Sequence, residues 1–512
     1  MKAERGHIII AGSGYAGSIL ASILRRLDYR VTILEKGTHP RFAIGESSTP
    51  VANFFLELLG DKFGLPWLRQ LSSYGRWRKY HPNLPVGLKR GFTFYFHEPG
   101  SDQYAIRPAR IAASPEDLIA DTHWYRPDLD HFLVRQAVGL GAALHCSTTI
   151  RSIDITASGV CVKAEYPSGS SEIFEGDFLI DATGSPEFGK LLNNRAAIPI
   201  PGYPGRSGLY AHFSGVARMD DLDQSLEPER QSNSIPIPYP SDDAAVHHVF
   251  EGGWIWVLRF NNGITSAGAS LAYGDTFSGY PTDPYQSWNQ LLDRFPIVKS
   301  QFTESELLMR MGVRPSLSWR LERGAGSGWA CLPSSFSFTD PILSSGFALT
   351  LLGIWRLAEA ADKTRLSVSM PPDYLESYEI NMKADAETAA RMTSALLNSG
   401  GQPNRFKSAL LVYFCAAIQY ETRLRLGRIS PDSGFMYRDC REWHELGMRL
   451  LTEDIPLGEC SRALDPWDLG GITIPNRDFQ LPASIDDLIR NRHKIPADES
   501  EILRMAELAR II

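Results

Sequence analysis

The chain has 512 residues, of which 43% are hydrophobic and 22% are charged, and its formal net charge is −7. At roughly 150 residues per domain this length allows two to four domains, and the composition excludes a disordered or fibrous chain. The mild excess of acidic residues argues against a nucleic-acid partner. No apolar stretch predicts a membrane span or a secretory signal. The six cysteines show no metal-ligand spacing, so we expect no metal site and a reduced, cytoplasmic protein.

The first predicted elements form a βαβ unit. A short β-branched run, His7–Ala11, predicts a buried parallel strand, and a second strand is predicted at Arg30–Leu34 after a stretch of helical periodicity. Between them stands a GxGxxG turn, whose glycines permit a tight turn, a close approach of pyrophosphate and close helix packing. The motif does not decide between FAD and NAD. The predicted dinucleotide site comprises Gly12, Ser13, Gly14, Ala16, Gly17, Glu35 as the ribose acceptor, and Lys36.

A long polar loop follows the second strand, and by composition it is either functional or an ordinary surface loop. It contains the segment Gly45-Glu46-Ser47-Ser48-Thr49-Pro50. Together with the glycine turn, this segment resembles the G-E-[ST]-x-x-P sequence of the flavin-dependent halogenases. The resemblance extends over residues 7–365, and it is nearest to the branch that acts on free phenolic compounds. It implies an α/β fold with a Rossmann-like, GxGxxG-type FAD-binding core, a sheet-built substrate layer and a C-terminal helical region.

In this arrangement residues 1–370 form the FAD-binding core, interleaved with a substrate-binding sheet over residues 75–125 and 190–320. Residues 371–512 form the C-terminal helical region, which is expected to cover the substrate chamber. Helical periodicity predicts helices at Ala384–Leu397, Phe406–Leu424 and Asp439–Leu451.

The segment Leu88–His97 is predicted to be a half-buried strand, because phenylalanines alternate with other residues along it. A lysine at the start of such a strand is usually solvated. The segment nevertheless resembles the strand that carries the catalytic lysine of the halogenases, and the resemblance gives that role to Lys89. It places Phe92, Phe94 and Phe96 in the substrate pocket.

Trp254 and Trp256 lie two residues apart on a predicted strand and therefore share one face. Paired tryptophans are most often core residues. Their stretch resembles the WxWxIP signature of the family, in which the tryptophans separate the flavin from the substrate. The Ile-Pro pair of that signature is replaced here by Leu258-Arg259, which leaves the shape of the barrier open.

Two further segments resemble the FAD scaffold of the family. Arg126 begins an R-x-x-x-D element in which the arginine supports the cofactor, although an ordinary helix start explains it nearly as well. Asp340 begins the segment DPILSSG, and we expect it to bond the ribityl chain. The helix start that follows offers unpaired backbone N–H groups for a halide. The resemblance thus adds Ser48, Arg126 and Asp340 to the cofactor site, and Ser344, Ser345 and Gly346 as the halide site.

The resemblance implies an FADH2- and O2-dependent halogenase of secondary metabolism. It would make hypohalous acid from chloride or bromide and deliver it through Lys89 to an electron-rich, phenolic substrate. Because only one dinucleotide fingerprint is visible, a separate NAD(P)H-dependent flavin reductase is expected. Two alternatives stay open: an FAD-dependent aromatic monooxygenase, disfavoured by the tryptophan pair and Leu332-Pro333, and a non-catalytic FAD-binding or carrier-docking protein. The general base is also left open, with His97, Tyr95 and several carboxylates as candidates, and so is a homodimeric assembly.

Overall fold

The computed structural model describes residues 5–192, 197–222, 238–272, 283–399, 401–472, 479–480 and 484–510. The strands of these residues are β1 (His7–Ala11), β2 (Arg30–Leu34), β3 (Val86–Lys89), β4 (Gly91–His97), β5 (Tyr104–Ala112), β6 (Asp121–Trp124), β7 (Ala143–His145), β8 (Thr149–Thr156), β9 (Gly159–Glu165), β10 (Ser171–Gly176), β11 (Phe178–Asp181), β12 (Arg206–Ser214), β13 (Ala245–Phe250), β14 (Gly253–Arg259), β15 (Thr265–Ala272), β16 (Glu306–Leu307), β17 (Gly312–Arg314), β18 (Trp319–Arg320), β19 (Ala325–Gly326), β20 (Trp329–Cys331), β21 (Ser337–Phe338) and β22 (Phe479–Gln480).

The helices of the same residues are α1 (Tyr15–Arg26), α2 (Pro50–Phe63), α3 (Pro66–Gln70), α4 (Tyr74–Tyr80), α5 (Arg126–Gly139), α6 (Met219–Leu222), α7 (Pro284–Asp293), α8 (Pro296–Gln301), α9 (Pro333–Phe336), α10 (Gly346–Lys363), α11 (Pro372–Leu397), α12 (Pro403–Arg425), α13 (Arg441–Thr452), α14 (Leu457–Leu464), α15 (Ile485–Arg490) and α16 (Glu499–Arg510). Among these helices, none is both long enough and apolar enough to cross a bilayer.

The predicted βαβ unit forms the centre of a six-stranded sheet with the order β19-β20-β11-β1-β2-β7. β1 pairs in parallel with both β2 and β11, and its three isoleucines are completely buried. A strand that is covered on both faces needs such a continuous apolar run. Helix α1 packs against α5 and α10. The predicted bounds of both strands are confirmed.

A second, nine-stranded sheet follows the order β16-β12-β15-β14-β13-β4-β5-β22, with β17 also paired to β12. The prediction of one half-buried strand over Leu88–His97 is wrong in two respects: the segment forms two strands, and the second of them is buried on both faces. The segment is divided between β3, which pairs with β6 in a separate sheet, and β4 in the nine-stranded sheet. All seven residues of β4 are buried, because Phe406 of α12 packs on Phe94 on one face and Phe295 packs on His97 on the other.

The three long helical predictions after residue 371 are confirmed in type, and the helices differ in their bounds. The first two begin earlier than predicted, at Pro372 and Pro403, since proline is well suited to the first turn of a helix. The third runs over Arg441–Thr452. Helix α12 packs against α2, α11, α13 and α14, so it joins the C-terminal helices to the N-terminal part of the molecule.

Candidate active site

The turn after β1 requires glycine at two positions. Gly12 has a φ of +98°, and a β-carbon there would stand 2.7 Å from the Ala182 oxygen. A β-carbon on Gly17 would stand 2.2 Å from the Gly12 oxygen. At Gly14, by contrast, the nearest atom would be 3.6 Å away, and α1 begins after it without a side-chain cap. This open helix start presents backbone donors and the positive end of the helix dipole, as a pyrophosphate site requires.

Glu35, the predicted ribose acceptor, already accepts four hydrogen bonds. It accepts from the backbone N–H (2.9 Å) and hydroxyl (2.8 Å) of Ser13, from Gly37 N (2.9 Å) and from Arg41 Nη2 (3.0 Å). Burial raises its pKa, but Arg41 and the two backbone N–H groups outweigh this effect and lower the pKa to about 2. A ribose hydroxyl at this carboxylate would compete with Ser13 and Arg41. Lys36, which follows it, is exposed.

Arg126 fixes the polar loop after β2. Its Nε and Nη2 atoms donate to the two carboxylate oxygens of Asp130 at 2.7 and 2.8 Å. Its Nη1 atom donates to the carbonyl oxygens of Ile44 (3.0 Å) and Gly45 (2.9 Å). A bidentate pair of this kind is rigid, so Arg126 supports the loop on which the predicted cofactor residues stand.

The loop itself provides polar atoms that a cofactor could use. Glu46 Oε1 lies 2.8 Å from His212 Nε2, whereas Glu46 Oε2 and Ser47 Oγ are buried without a partner among the described residues. Ser48 is occupied within the fold, because its hydroxyl donates to Asn53 Oδ1 at 2.9 Å. Buried polar atoms without partners are rare, so these two atoms and the uncapped start of α1 after Gly14 fit a bound dinucleotide.

Lys89 is completely buried, which differs from the solvated strand end that the pattern alone indicates. Its strand approaches β14 so closely that a β-carbon on Gly87 would stand 2.0 Å from the Arg259 oxygen. Lys89 Nζ donates to the Ser48 oxygen at 2.5 Å and lies 4.0 Å from the centre of the Phe92 ring. The predicted catalytic amine therefore contacts both the predicted cofactor loop and the predicted substrate pocket.

The electrostatic environment of this amine is unusual. Burial lowers the pKa of Lys89, and the charge of Asp121 opposes the shift. For Asp121, burial raises the pKa and the charge of Lys89 opposes it. Both shifts follow from the cost of a charge in a medium of low dielectric constant. The Lys89 ammonium consequently gives up a proton more readily than a solvated lysine does.

A row of aromatic rings leads from this amine along one face of the nine-stranded sheet. Phe92 and Phe94 stack at 6.0 Å, and His247 stacks on Phe94 at 4.9 Å. His247 is 4.9 Å from Trp254, and Trp254 is 5.6 Å from Trp256. The strands pair Phe94 with His247 and His247 with Trp256, so the side chains share one face. The tryptophan pair and the predicted pocket therefore form one continuous aromatic surface.

The tryptophan end of this row is bonded to the predicted flavin segment. Trp254 Nε1 donates to Asp340 Oδ1 at 3.0 Å, and Ile342 N donates to the same oxygen at 3.1 Å. The Ser270 hydroxyl donates to Asp340 Oδ2, and Arg206 Nε lies 3.8 Å from that oxygen. Burial raises the pKa of Asp340, and Arg206 opposes the shift. Asp340 thus ties the tryptophan pair to the turn that precedes α10.

The predicted halide site lies at the end of that turn. Ser344 has a left-handed backbone conformation, with a φ of +52°, and both Ser344 and Ser345 are buried. Helix α10 begins at Gly346 without a side-chain cap, and a β-carbon on Gly346 would meet no atom within 4 Å. The Ser344 N–H donates to the Pro341 oxygen at 2.9 Å, so the N–H groups that this helix start offers to an anion are those of Ser345 and Gly346. The halide role of Ser344, Ser345 and Gly346 stays a prediction.

Several known proteins that resemble this chain are halogenases. The family model described as tryptophan halogenase matches residues 7–63. Monodechloroaminopyrrolnitrin halogenase from Pseudomonas fluorescens is 28% identical over 379 residues, which cover 73% of this chain and 64% of that enzyme. Tetracycline 7-halogenase from Kitasatospora aureofaciens is 28% identical over 369 residues, which cover 69% of this chain and 63% of that enzyme. This chain is similar to the flavin-dependent halogenases.

The chain spans slightly less than two thirds of the length of those two relatives. Its fold matches the crystal structure of the halogenase PltM with a TM-score of 0.80 and 22% sequence identity, over 93% of this chain and all of that one. PltM has also been solved in complex with phloroglucinol and FAD. The predicted resemblance and the predicted fold class are confirmed.

The Leu258-Arg259 departure from the halogenase signature has a structural explanation. Arg259 Nε donates to Asp242 at 2.6 Å, and its terminal nitrogens donate to the oxygens of Val216 (2.8 Å) and Ala217. Arg259 also pairs with Thr265 in the antiparallel β14–β15 ladder. The arginine therefore anchors neighbouring loops at the end of β14, and the tryptophans keep their common face.

Sequence reasoning missed three buried titratable residues near Lys89. Asp121 lies opposite Lys89 across the β3–β6 pair. His123 and His247 lie near enough to Lys89 for its charge to shift their pKa values. Burial and then Lys89 lower the pKa of His123 to about 3, and they lower the pKa of His247 as well. The polar residues of the segment that forms β6 were an available signal, but the pairing of β6 with β3 is a long-range contact that periodicity does not report.

Two of the residues left open as general base face away from the amine. His97 Nε2 lies 2.9 Å from His248 Nδ1, and the Tyr95 hydroxyl donates to Ser241 Oγ at 2.9 Å. Both side chains alternate with Phe92 and Phe94 along β4, and alternate residues of a strand point to opposite faces. Neither lies on the side of the sheet that carries the aromatic row.

Proposed function

We propose that this protein is a halogenase that uses reduced FAD, O2 and chloride or bromide to halogenate an electron-rich, phenolic substrate. The observation that carries the proposal is the placement of Lys89. Its amine is completely buried, and the aromatic row leads from it to Trp254, which bonds Asp340 beside the turn before α10. Burying an amine costs free energy, so the presence of a buried lysine at this place supports a chemical role for it.

The residues that would hold FAD are those with free backbone donors or unpartnered polar atoms. They are the glycine turn with its uncapped helix start and the loop atoms Glu46 Oε2 and Ser47 Oγ. Glu35 and Asp340 would also contact the cofactor, in exchange for hydrogen bonds that they make now. When bound and reduced, FAD supplies with O2 the two-electron oxidation that converts a halide into hypohalous acid. The N–H groups of Ser345 and Gly346 would hold the halide at the positive end of α10, because the Ser344 N–H already donates to the Pro341 oxygen.

Lys89 would receive the hypohalous acid on the other side of the tryptophan pair. Its ammonium donates a hydrogen bond to the oxygen of the oxidant, which makes the halogen more electrophilic. A fixed donor in a site without water is effective because it needs no reorganisation as charge develops. Trp254 and Trp256 would keep the substrate from direct contact with the flavin.

The lining of the pocket supports a flat aromatic substrate. Phe406 packs edge-on against Phe94 and Phe96 at 5.3 and 5.4 Å, and Phe414 packs against Phe92 at 5.3 Å. Both of these residues belong to α12, so we include in the proposal that the C-terminal helices cover the substrate chamber. Aromatic walls favour stacking with a planar ring. The likeness to a halogenase solved with phloroglucinol supports a phenol in particular.

We further propose that a separate NAD(P)H-dependent reductase supplies the reduced flavin. The glycine turn at Gly12–Gly17 is the one dinucleotide fingerprint in the sequence. FAD would occupy it, which leaves no second fingerprint for a nicotinamide cofactor.

The proposal is tested by supplying the purified protein with FAD, NADH, a flavin reductase, chloride and a panel of free phenols. We expect products that carry the chlorine isotope pattern in the mass spectrum, and brominated products when bromide replaces chloride. A product heavier by one oxygen would instead identify an aromatic monooxygenase. Absence of any product across the panel, with FAD bound, would favour a non-catalytic FAD-binding protein.

A further inference from the structure

We propose that Asp121 is the general base that removes the ring proton during halogenation, and that it acts as a pair with Lys89. The inference rests on the proposed function and assigns a role that the family resemblance leaves open. Asp121 and Lys89 are direct cross-strand neighbours in the β3–β6 pair, and their side chains are 1% and 0% exposed. They are therefore presented together to the same buried space.

A short hydrogen-bonded chain holds both groups in place. Lys89 Nζ donates to the Ser48 oxygen, the Ser48 hydroxyl donates to Asn53 Oδ1, and Asn53 Nδ2 donates to Asp121 Oδ1 at 2.8 Å. The second carboxylate oxygen, Asp121 Oδ2, is buried and has no partner among the described residues. A buried acceptor without a partner costs free energy unless a ligand uses it. The network thus orients one oxygen of Asp121 and leaves the other available.

The groups near Asp121 belong to the predicted pocket and to α12, since the charges of Lys89, Glu421 and Arg425 all act on its pKa. Burial and the charge of Asp121 raise the pKa of Tyr413, whose hydroxyl donates to the Leu343 oxygen at 2.9 Å, next to the predicted halide site. The neighbouring Phe414 packs on Phe92, the ring that lies against the Lys89 amine. Asp121 is therefore flanked by the amine on β3 and by the aromatic residues of α12.

The change of charge on accepting a proton makes Asp121 a better general base than the two histidines nearby. His123 and His247 also have buried nitrogens without partners among the described residues. A histidine that accepted the ring proton would change from a neutral group into a buried cation, which burial disfavours. A carboxylate that accepts the proton becomes neutral, which relieves the cost of its burial. Burial also raises the pKa of Asp121, so its carboxylate is a stronger base than a solvated one.

The pair gives a balanced reaction. The ring carbon forms a bond to the halogen of the hypohalous acid while the halogen–oxygen bond breaks and its electrons pass to oxygen. The Lys89 ammonium protonates that oxygen, and water leaves. The Asp121 carboxylate then takes the ring proton, and the electrons of the C–H bond restore aromaticity. Lys89 Nζ donates to Ser48 and Asp121 accepts from Asn53, with no direct bond between the two side chains, so we infer that the released water carries the proton from the Asp121 carboxyl back to the Lys89 amine. This transfer restores both groups, and the enzyme ends unchanged.

The test compares Asp121→Asn with the wild type, using a phenol and the same phenol deuterated on the ring. In the variant we expect halogenation to fall by about 10²-fold or more, which is typical for loss of a general base. We also expect a primary isotope effect that the wild type lacks, because ring deprotonation becomes rate-limiting. Hypohalous acid captured by an added scavenger should be undiminished. Asp121→Glu should restore part of the rate without the isotope effect, and exposed Asp154→Asn should match the wild type.

The outcomes separate this inference from the proposed function. Halogenation by Asp121→Asn at the wild-type rate and without an isotope effect would overturn the role of Asp121 while leaving the halogenase proposal intact. Loss of both product and captured hypohalous acid in Asp121→Asn and Asp121→Glu would show a structural role and would overturn it as well. Absence of halogenation by the wild type would instead contradict the proposed function.

Discussion

At the scale of single residues, the glycine turn and its acidic partner show how strongly local geometry selects a side chain. Gly12 and Gly17 approach backbone oxygens too closely for any β-carbon. Glu35 fixes the turn between them through Ser13. These constraints are local in the sequence, which is why the glycine pattern and the spacing to the acid were sufficient to predict the unit.

Replacement of Gly17 by alanine is expected to disrupt the turn. Its β-carbon would stand 2.2 Å from the Gly12 oxygen, and backbone cannot yield as a flexible side chain can. We expect a destabilisation of about 1 to 3 kcal/mol, as for overpacking in a core, and loss of bound FAD. Thermal unfolding and the flavin absorbance of the purified protein measure both. Gly139→Ala, at a helical position where a β-carbon meets no atom within 4 Å, should be neutral or slightly stabilising; an equal loss in both variants would contradict the account.

The charge of Glu35 predicts a pH dependence of stability. Its pKa falls from 4.5 when unpaired to about 2 in the folded chain. A depressed pKa contributes stability that is fully present above pH 4.5 and is lost as the pH falls toward 2. This contribution amounts to about 3 kcal/mol. The difference in unfolding free energy between the wild type and Glu35→Gln should therefore shrink as the pH falls below 4.5. Denaturant titrations at several pH values test this, and a pH-independent difference would contradict it; exposed Glu175→Gln serves as the control.

At the scale of elements, the environment of β4 depends on partners that are distant in the chain. Its alternation of phenylalanine with other residues predicts one buried face, yet both faces are covered. Helix α12, more than 300 residues later, supplies Phe406 and Phe414 to the phenylalanine face. The pairing of Lys89 with Asp121 is likewise made by β3 and β6. Periodicity reports which faces are apolar, but it does not report what covers a polar face.

The role of α12 as a wall of the pocket predicts the effect of Phe406→Ala. Phe406 is buried and packs edge-on against both Phe94 and Phe96, so truncation leaves a cavity and should cost about 3 to 5 kcal/mol. We also expect weaker substrate binding, seen as a raised KM. Ile380→Ala on α11, where the side chain is 59% exposed, should change neither quantity. Unchanged stability and KM in Phe406→Ala would show that α12 does not line the pocket.

At the scale of the whole molecule, the two steps of the proposed chemistry, oxidant formation and substrate halogenation, are placed at different sheets. The six-stranded sheet carries the glycine turn, and the nine-stranded sheet carries the aromatic row and the tryptophan pair. The polar loop after β2 connects the six-stranded sheet to the nine-stranded sheet, because Glu46 contacts His212 of β12. The same loop contacts the β3–β6 pair, because Ser48 accepts a hydrogen bond from Lys89. Oxidant formation and substrate halogenation are therefore expected to be separable by mutation.

Lys89→Ala tests this separation most directly. The variant, the wild type and Lys163→Ala, which replaces an exposed lysine on β9, are supplied with reduced FAD, O2, bromide, a phenol and a scavenger of hypohalous acid. We expect Lys89→Ala to release hypohalous acid to the scavenger at the wild-type rate while brominated phenol falls by about 10²-fold or more. Lys163→Ala should behave as the wild type. Wild-type yields of brominated phenol from Lys89→Ala, measured by mass spectrometry, would contradict the account.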